Sequence, residues 1–340
     1  MPMTLVEELA LEMPKLREGI IQTLVEQVNL LDRLPIETAG ALSVPIVYLS
    51  GVPTVSLRHI NEAVTDQKAT FAQMTESLAI IDTDIDIDPV LLAVKNQVQD
   101  PAAAQTQAIV GSLGARVNDL IINADPTSNS REPTGLKYML STDARFNGQT
   151  VNASADTTKL EFRIGTATDA QIRTALAKLD ELFYLVDNKA SVVIVNRQTL
   201  LGLWANLRQL KMFDITRDQY DREVGMYRKV PIIDIGFDPA GIVTGSPAAA
   251  GADGNQIIGN DNDSPTGNGA NAYTATTPVY VARLGPDHML ALQLEPLRVK
   301  PIGETEASPH LVRTNIRWVI HPSALFQKRS AGRLVGLDVS

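Results

Sequence analysis

Two runs near the amino end, residues 43–62 and 70–88, are dense in Val, Ile, Leu, Tyr and Thr, and the polar stretch 63–69 joins them. Such runs are extended chain, and their spacing predicts a β-hairpin. Twenty residues at roughly 3.3 Å each make an arm of about 60 Å. A compact chain of 340 residues has a diameter of roughly 50 Å, so this arm is expected to overhang its own body. Pro45 and Pro53 confine the first strand to an edge, and a two-stranded ribbon alone is marginal in water. The pattern therefore anticipates cover by neighbouring molecules.

Elsewhere the periodicity is helical or mixed. Residues 4–34 carry Leu5, Leu9, Leu16, Ile20, Leu24, Val28 and Leu31 at helical spacing, broken near Pro14, and predict an amphipathic arm docked on its own domain or on a neighbour. Its Glu7, Glu8, Glu12, Glu18, Glu26 and Asp32 speak against a membrane-surface role. Residues 101–124 form the clearest long helix, opened by Asp100-Pro101 and striped by Ile109, Leu113, Val117, Leu120 and Ile121. Gly111 and Gly114 each weaken it by about 1 kcal/mol relative to Ala. A polar loop over 125–135 follows, and Asn147-Gly148 predicts a type I′ turn.

Thr168 with Gln171 makes a capping box for a second helix carrying Ile172, Leu176, Leu179, Phe183 and Val186. Residues 190–195 read as a short buried strand, 200–210 as a third helix, and 230–235 as another strand. The Gly-, Asn- and Ser-rich stretch 238–277 predicts an exposed excursion. Residues 279–284 and 289–294 are strands around Gly285-Pro286-Asp287. In 312–320, Val312, Thr314, Ile316, Trp318 and Ile320 alternate with Arg313, Asn315 and Arg317 across two faces.

Composition narrows the class. With 44% hydrophobic and 20% charged residues the chain is built to fold, and no apolar run approaches the roughly 20 residues of a membrane span. The acidic amino end lacks the form of a secretory signal, which predicts use in a cytoplasm. Absence of cysteine excludes disulfides, thiolate nucleophiles and Cys-ligated zinc. The net charge of −9 and a pI near 5.0 argue against a sequence-reading nucleic-acid binder. Charge is uneven: residues 277–340 hold eight bases and five acids, whereas 63–100 hold seven acids and two lysines.

Chemistry is harder to find. Counting from Asp82, the run Asp82-Thr83-Asp84-Ile85-Asp86-Ile87-Asp88 has Ile87 where a calcium loop needs Gly and Ala93 where it needs Glu. Alternation fits an acidic strand better, with Ile81, Ile85 and Ile87 on its other face; Asp261-Asn262-Asp263 is a weaker metal candidate still. His59, His288, His310 and His321 show no zinc spacing, and there is neither a nucleophile elbow nor a phosphate loop. No catalytic residue, metal site or cofactor is nominated.

The order of parts resembles the major capsid protein of tailed bacteriophages, the Hong Kong 97-type fold. IVGSLGARVNDLIINADPTSNSREPTGL looks like that family's spine helix and its loop, and KASVVIVNRQTLLGLWANLRQL looks like the strand-to-helix entry into its axial domain. MYRKVPIIDIG resembles the family's Pro-Ile-Ile strand pattern, and VRTNIRWVIHPSALFQKRSAGRLVGL resembles the closing strand of its peripheral sheet. The resemblance implies an α+β fold: an N-terminal arm at 1–40, an extended hairpin loop at 41–90, a peripheral domain at 91–165 with its spine helix at 101–124, an axial domain at 166–295 with the loop 238–277, and a return to the peripheral domain at 296–340.

It implies a structural protein, not an enzyme, that self-assembles as hexamers and pentamers into an icosahedral phage head. That head would enclose double-stranded DNA held by non-specific contact, would form in the host cytoplasm without a membrane, and would engage scaffolding, portal and cement proteins. Starting at Met1 without a long charged leader, the chain implies a separate scaffolding protein or none. The expected intersubunit residues are Val47, Leu49, Val55 and Leu57 of the outgoing strand, Lys68 near the tip, and Asp82, Asp84 and Asp86 of the return strand, these last facing Arg313 and Arg317 of a neighbour. An encapsulin-type nanocompartment is the alternative on the same fold, and a cytoplasmic enzyme without recognisable motifs is the alternative from another class.

Overall fold

The structure, a computed structural model, describes residues 30–64, 66–88, 101–152, 160–161, 167–210, 214–217, 223–236, 257–258, 276–305 and 308–338. The arm expected over 4–34 lies outside these residues except for its last turn, as do Asp261-Asn262-Asp263 and nearly all of 238–277.

The strands are β1 (Ile36–Thr38), β2 (Ser43–Gly51), β3 (Thr70–Ser77), β4 (Ala79–Ile87), β5 (Thr150–Asn152), β6 (Leu160–Glu161), β7 (Val192–Val195), β8 (Asp214–Arg217), β9 (Glu223–Tyr227), β10 (Val230–Asp234), β11 (Thr276–Ala282), β12 (Met289–Thr305), β13 (Ser308–Leu325) and β14 (Ala331–Asp338). The helices are α1 (Pro101–Ile122), α2 (Leu136–Ser141), α3 (Asp169–Leu185) and α4 (Arg197–Gln209). They form a four-stranded sheet ordered β1-β12-β13-β4, a larger sheet ordered β5-β14-β11-β7-β10-β9-β8 with β6 also on β14, and the separate ribbon β2-β3.

The long α1 and both sheets share one core. Val110, Leu113, Val117 and Ile121 of α1 cluster with Ile85 and Ile87 of β4, with Ile316, Trp318 and Ile320 of β13, and with Val192, Ile194 and Tyr280 of the larger sheet. Period-2 alternation then sends Val193, Val195, Val279 and Val281 to the opposite face, where Ile172, Leu176, Leu179 and Phe183 of α3 and Leu203 and Leu207 of α4 cover them. With both faces covered, β7 reads as an unbroken apolar run. Thr168 caps α3 as its capping box predicts, accepting from the Gln171 amide at 3.4 Å while the Gln171 side chain accepts from the Thr168 amide at 2.8 Å. Gly135 lies against the end of α1, its N–H donating to the Ala124 carbonyl at 2.8 Å; a Cβ there would stand 2.7 Å from the Ala124 nitrogen.

Several expectations are corrected. The hairpin ladder runs only from Ser43↔Ser77 to Gly51↔Thr70, about 30 Å of ribbon rather than 60. Residues 79–87 leave it, because β13 offers them a longer partner strand. Asn147-Gly148 does turn the chain, with the Gln149 N–H donating to the Phe146 carbonyl at 3.0 Å, but only Gly148 takes positive φ (84°), as in a type II rather than a type I′ turn. The strands flanking Gly285 belong to different sheets, and β12 and β13 extend far beyond 289–294 and 312–320. Residues 331–338 pair with β11 in the larger sheet and not beside β13.

Candidate assembly surface

On the ribbon, alternation separates two faces. Ile46 is 2% exposed and Val44 packs against the small cluster of Leu78, Leu290, Leu292 and Val319, so this face looks to the body. The opposite face carries Val47, Leu49 and Phe71, exposed at 61%, 50% and 69%, with Leu49 directly across from Phe71 in the ladder. Beyond Gly51 the ladder stops, yet Val52, Val55, Leu57, Ile60 and Val64 all stand in solvent, Leu57 at 100%. A turn at 59–62, with Asn61 at φ 69° and the His59 N–H donating to the Glu62 carboxylate at 2.8 Å, reverses the chain. Nine of the thirteen exposed large apolar side chains among the described residues fall within 42–71. An apolar concentration of this kind exceeds the ordinary scatter of single surface hydrophobics.

At the ribbon's root sits a buried polar joint. Glu76 of β3, 2% exposed, accepts from Arg145 Nη2 at 2.7 Å and from Thr134 Oγ1 at 2.5 Å. His321 Nε2 lies 3.2 Å from the same hydroxyl and 3.5 Å from the carboxylate. The Ser323 amide donates to His321 Nδ1 at 3.3 Å, which leaves the ring proton on Nε2, facing the joint. Arg145 also donates through Nε to Asp143 at 2.7 Å, and its guanidinium stands 5.8 Å from the Tyr48 ring of β2. Burial pushes the Glu76 carboxyl up, but hydrogen bonds from His321, Thr134 and Arg145 outweigh it and bring its pKa down to about 2.

The acidic strand has its partners in its own chain. Antiparallel pairing sets Asp86 opposite Arg313, Asp84 opposite Asn315 and Asp82 opposite Arg317. Arg313 clamps Asp86 through Nε and Nη2 at 2.7 and 2.6 Å, Arg317 donates to Asp82 at 2.9 and 2.7 Å, and Asn315 bridges Asp82 and Asp84 at 2.5 and 2.7 Å. The Arg313 bonds hold the Asp86 carboxyl below the usual carboxylate range. This corrects the expectation that the arginines belong to a neighbour: strand register in one subunit already matches the charges.

Val47, Leu49, Val55, Leu57 and Lys68 are thus gathered on one exposed limb, whereas Asp82, Asp84, Asp86, Arg313 and Arg317 form a separate ladder on the sheet. Phe71 and Glu76 were not singled out by sequence. Phe71 is found by carrying the ladder register across from Leu49; nothing in the sequence marks Glu76, since its partners come from three distant segments. No described helix is long and apolar enough to cross a membrane, and the described residues contain no grouping of acids and histidines that could hold a metal ion.

Comparison with known proteins follows the same lines. Residues 17–162 match the family model described as Major capsid protein GP7. No curated protein sequence matches the chain. Among solved structures, the holo-SrpI encapsulin complex from Synechococcus elongatus PCC 7942 is similar at 13% identity and TM-score 0.60, covering 100% of this chain and 98% of that one. The capsid of a native GTA particle is similar at 12% identity and TM-score 0.56, over 93% of this chain and 90% of that one. The capsid of Myoviridae phage XM1 is similar at 13% identity and TM-score 0.52, over 88% and 87%. At these identities the likeness is one of fold, the Hong Kong 97-type capsid fold.

Proposed function

We propose that this chain, a structural major capsid protein of the Hong Kong 97-type fold, builds hexamers and pentamers of an icosahedral phage head around double-stranded DNA by laying its ribbon across the adjacent copy. The supporting observation is the run of bare apolar side chains from Leu42 to Phe71, for which the described body provides no cover. Val47, Leu49, Val55 and Leu57 supply the contact, with Lys68 beside them. Burying one such side chain contributes about 1.5–3 kcal/mol before ordering costs. A shell multiplies that term over every copy, and permanent interfaces commonly bury 2,000 Å² or more in total. Scaffolding, portal and cement proteins belong to this reading as partners, and assembly takes place in the host cytoplasm.

Negative-stain microscopy and sedimentation of the purified protein test the proposal: closed shells or capsomers are expected, and a persistent monomer would overturn it. The encapsulin likeness supports a second reading, a protein-filled nanocompartment. Contents of particles purified from the native source separate the two, since nucleic acid indicates a virion and a cargo protein a compartment.

A further inference from the structure

We propose that Glu76 is the positioning residue of the ribbon: its buried joint with Arg145, Thr134 and His321 sets the ribbon's direction in the isolated subunit, before any neighbour covers it. The inference rests on the assembly reading above and adds how the contact limb is aimed.

The covalent attachment of the ribbon is slight. It enters the body at Leu42 and Leu78, where the Leu78 N–H donates to the Leu42 carbonyl at 2.9 Å, and two extended strands hinge freely about such a pair unless side chains brace them. Among the described residues two polar braces stand at its root, beside the apolar packing of Val44 and Ile46, and both run to Arg145. Glu76 on β3 receives its guanidinium directly, and Tyr48 on β2 has its ring 5.8 Å away. Arg145 is itself fixed by Asp143, while Thr134 and His321 hold the second carboxylate oxygen. The groups meeting at Glu76 therefore come from β13, from the loop after α1 and from the turn after α2. Ser323 Oγ, donating to the Thr134 carbonyl at 3.0 Å, ties that loop to β13.

Apolar packing tolerates sliding, but a carboxylate held by a guanidinium, a hydroxyl and an imidazole N–H has one satisfactory orientation. Displacing it would leave a buried charge without partners, so intermediate ribbon angles are disfavoured. A limb held in its bound direction loses less freedom on association, which favours assembly without adding an intersubunit contact.

Amide hydrogen exchange and sedimentation velocity on the full chain test this with Glu76→Gln and Thr134→Val. Glu76→Gln is expected to speed exchange at 43–51 and 70–77 by about ten-fold or more while leaving 192–195 within about two-fold. Assembly should then begin only at a several-fold higher protein concentration. Thr134→Val should shift both readouts in the same direction by less, and it decides the matter should Glu76→Gln fail to fold. Unchanged ribbon exchange, or an equal rise at 192–195, would overturn the proposal by reducing the joint to a general stabiliser. A wild-type chain that never assembles would instead defeat the shell reading, leaving exchange alone to judge the joint.

Discussion

β3 and β4 are consecutive stretches of one extended run, parted by Leu78 alone, and they end in opposite situations. β4 lies between α1 and solvent with β13 along its whole length, its Ile85 and Ile87 in the core and its aspartates matched by Arg313, Asn315 and Arg317. Among the described residues β3 has β2 alone beside it, and its Phe71 faces outward. The two differ less in β-propensity than in how far the described body covers them. Where the described body covers it, the strand serves the stability of the fold; where it does not, apolar area stands exposed.

The sharpest way to break this comparison is to load the ribbon with charge. Val55→Asp combined with Leu57→Asp removes about 3–6 kcal/mol of gross contact per copy. Sedimentation should show assembly lost, while the unfolding free energy of the subunit in urea changes by no more than about 0.5 kcal/mol. The converse change, Trp318→Ala in the core beside β4, should cost about 3–5 kcal/mol in equilibrium unfolding and impair assembly only through loss of folded subunit.

Acid gives the next largest effect. Because the folded-state pKa of Glu76, about 2, lies below its ordinary 4.5, its stabilisation is complete above about pH 4.5 and is lost as pH falls towards 2. Its size is on the order of 3 kcal/mol, and Glu76→Gln should flatten that part of a pH series of urea unfolding curves.

Smallest is Asp84→Lys, which removes the Asn315 bond and places a cation between Arg313 and Arg317. It should lower subunit stability by about 1 kcal/mol or less with shells still forming. Shells lost with subunit stability intact would return these aspartates to the interface.

Much of this was legible from residue order. The α1 stripe, the Thr168–Gln171 capping box and the two-faced 312–320 strand are local patterns, each contained within one element. The exposed apolar limb was also visible, because a ribbon carrying Pro45 and Pro53 finds no natural place inside a sheet. What escaped depends on long-range pairing. Asp82, Asp84 and Asp86 were assigned to a neighbour because sequence does not show that β13, more than 220 residues later, aligns with them in register. Nothing in the sequence distinguishes Glu76, since its three partners converge only through tertiary structure.

Ile257 and Ile258, inside the stretch read from sequence as a surface excursion, are 3% and 2% exposed and join the central core. Asn123 at the end of α1 donates to the Ile257 carbonyl at 2.7 Å, and Asn196 at the start of α4 donates to that of Ile258 at 3.3 Å. A protein engineer wishing to display a peptide here should treat this dipeptide as a rivet, because excising the whole segment would pull a plug from the hydrophobic interior.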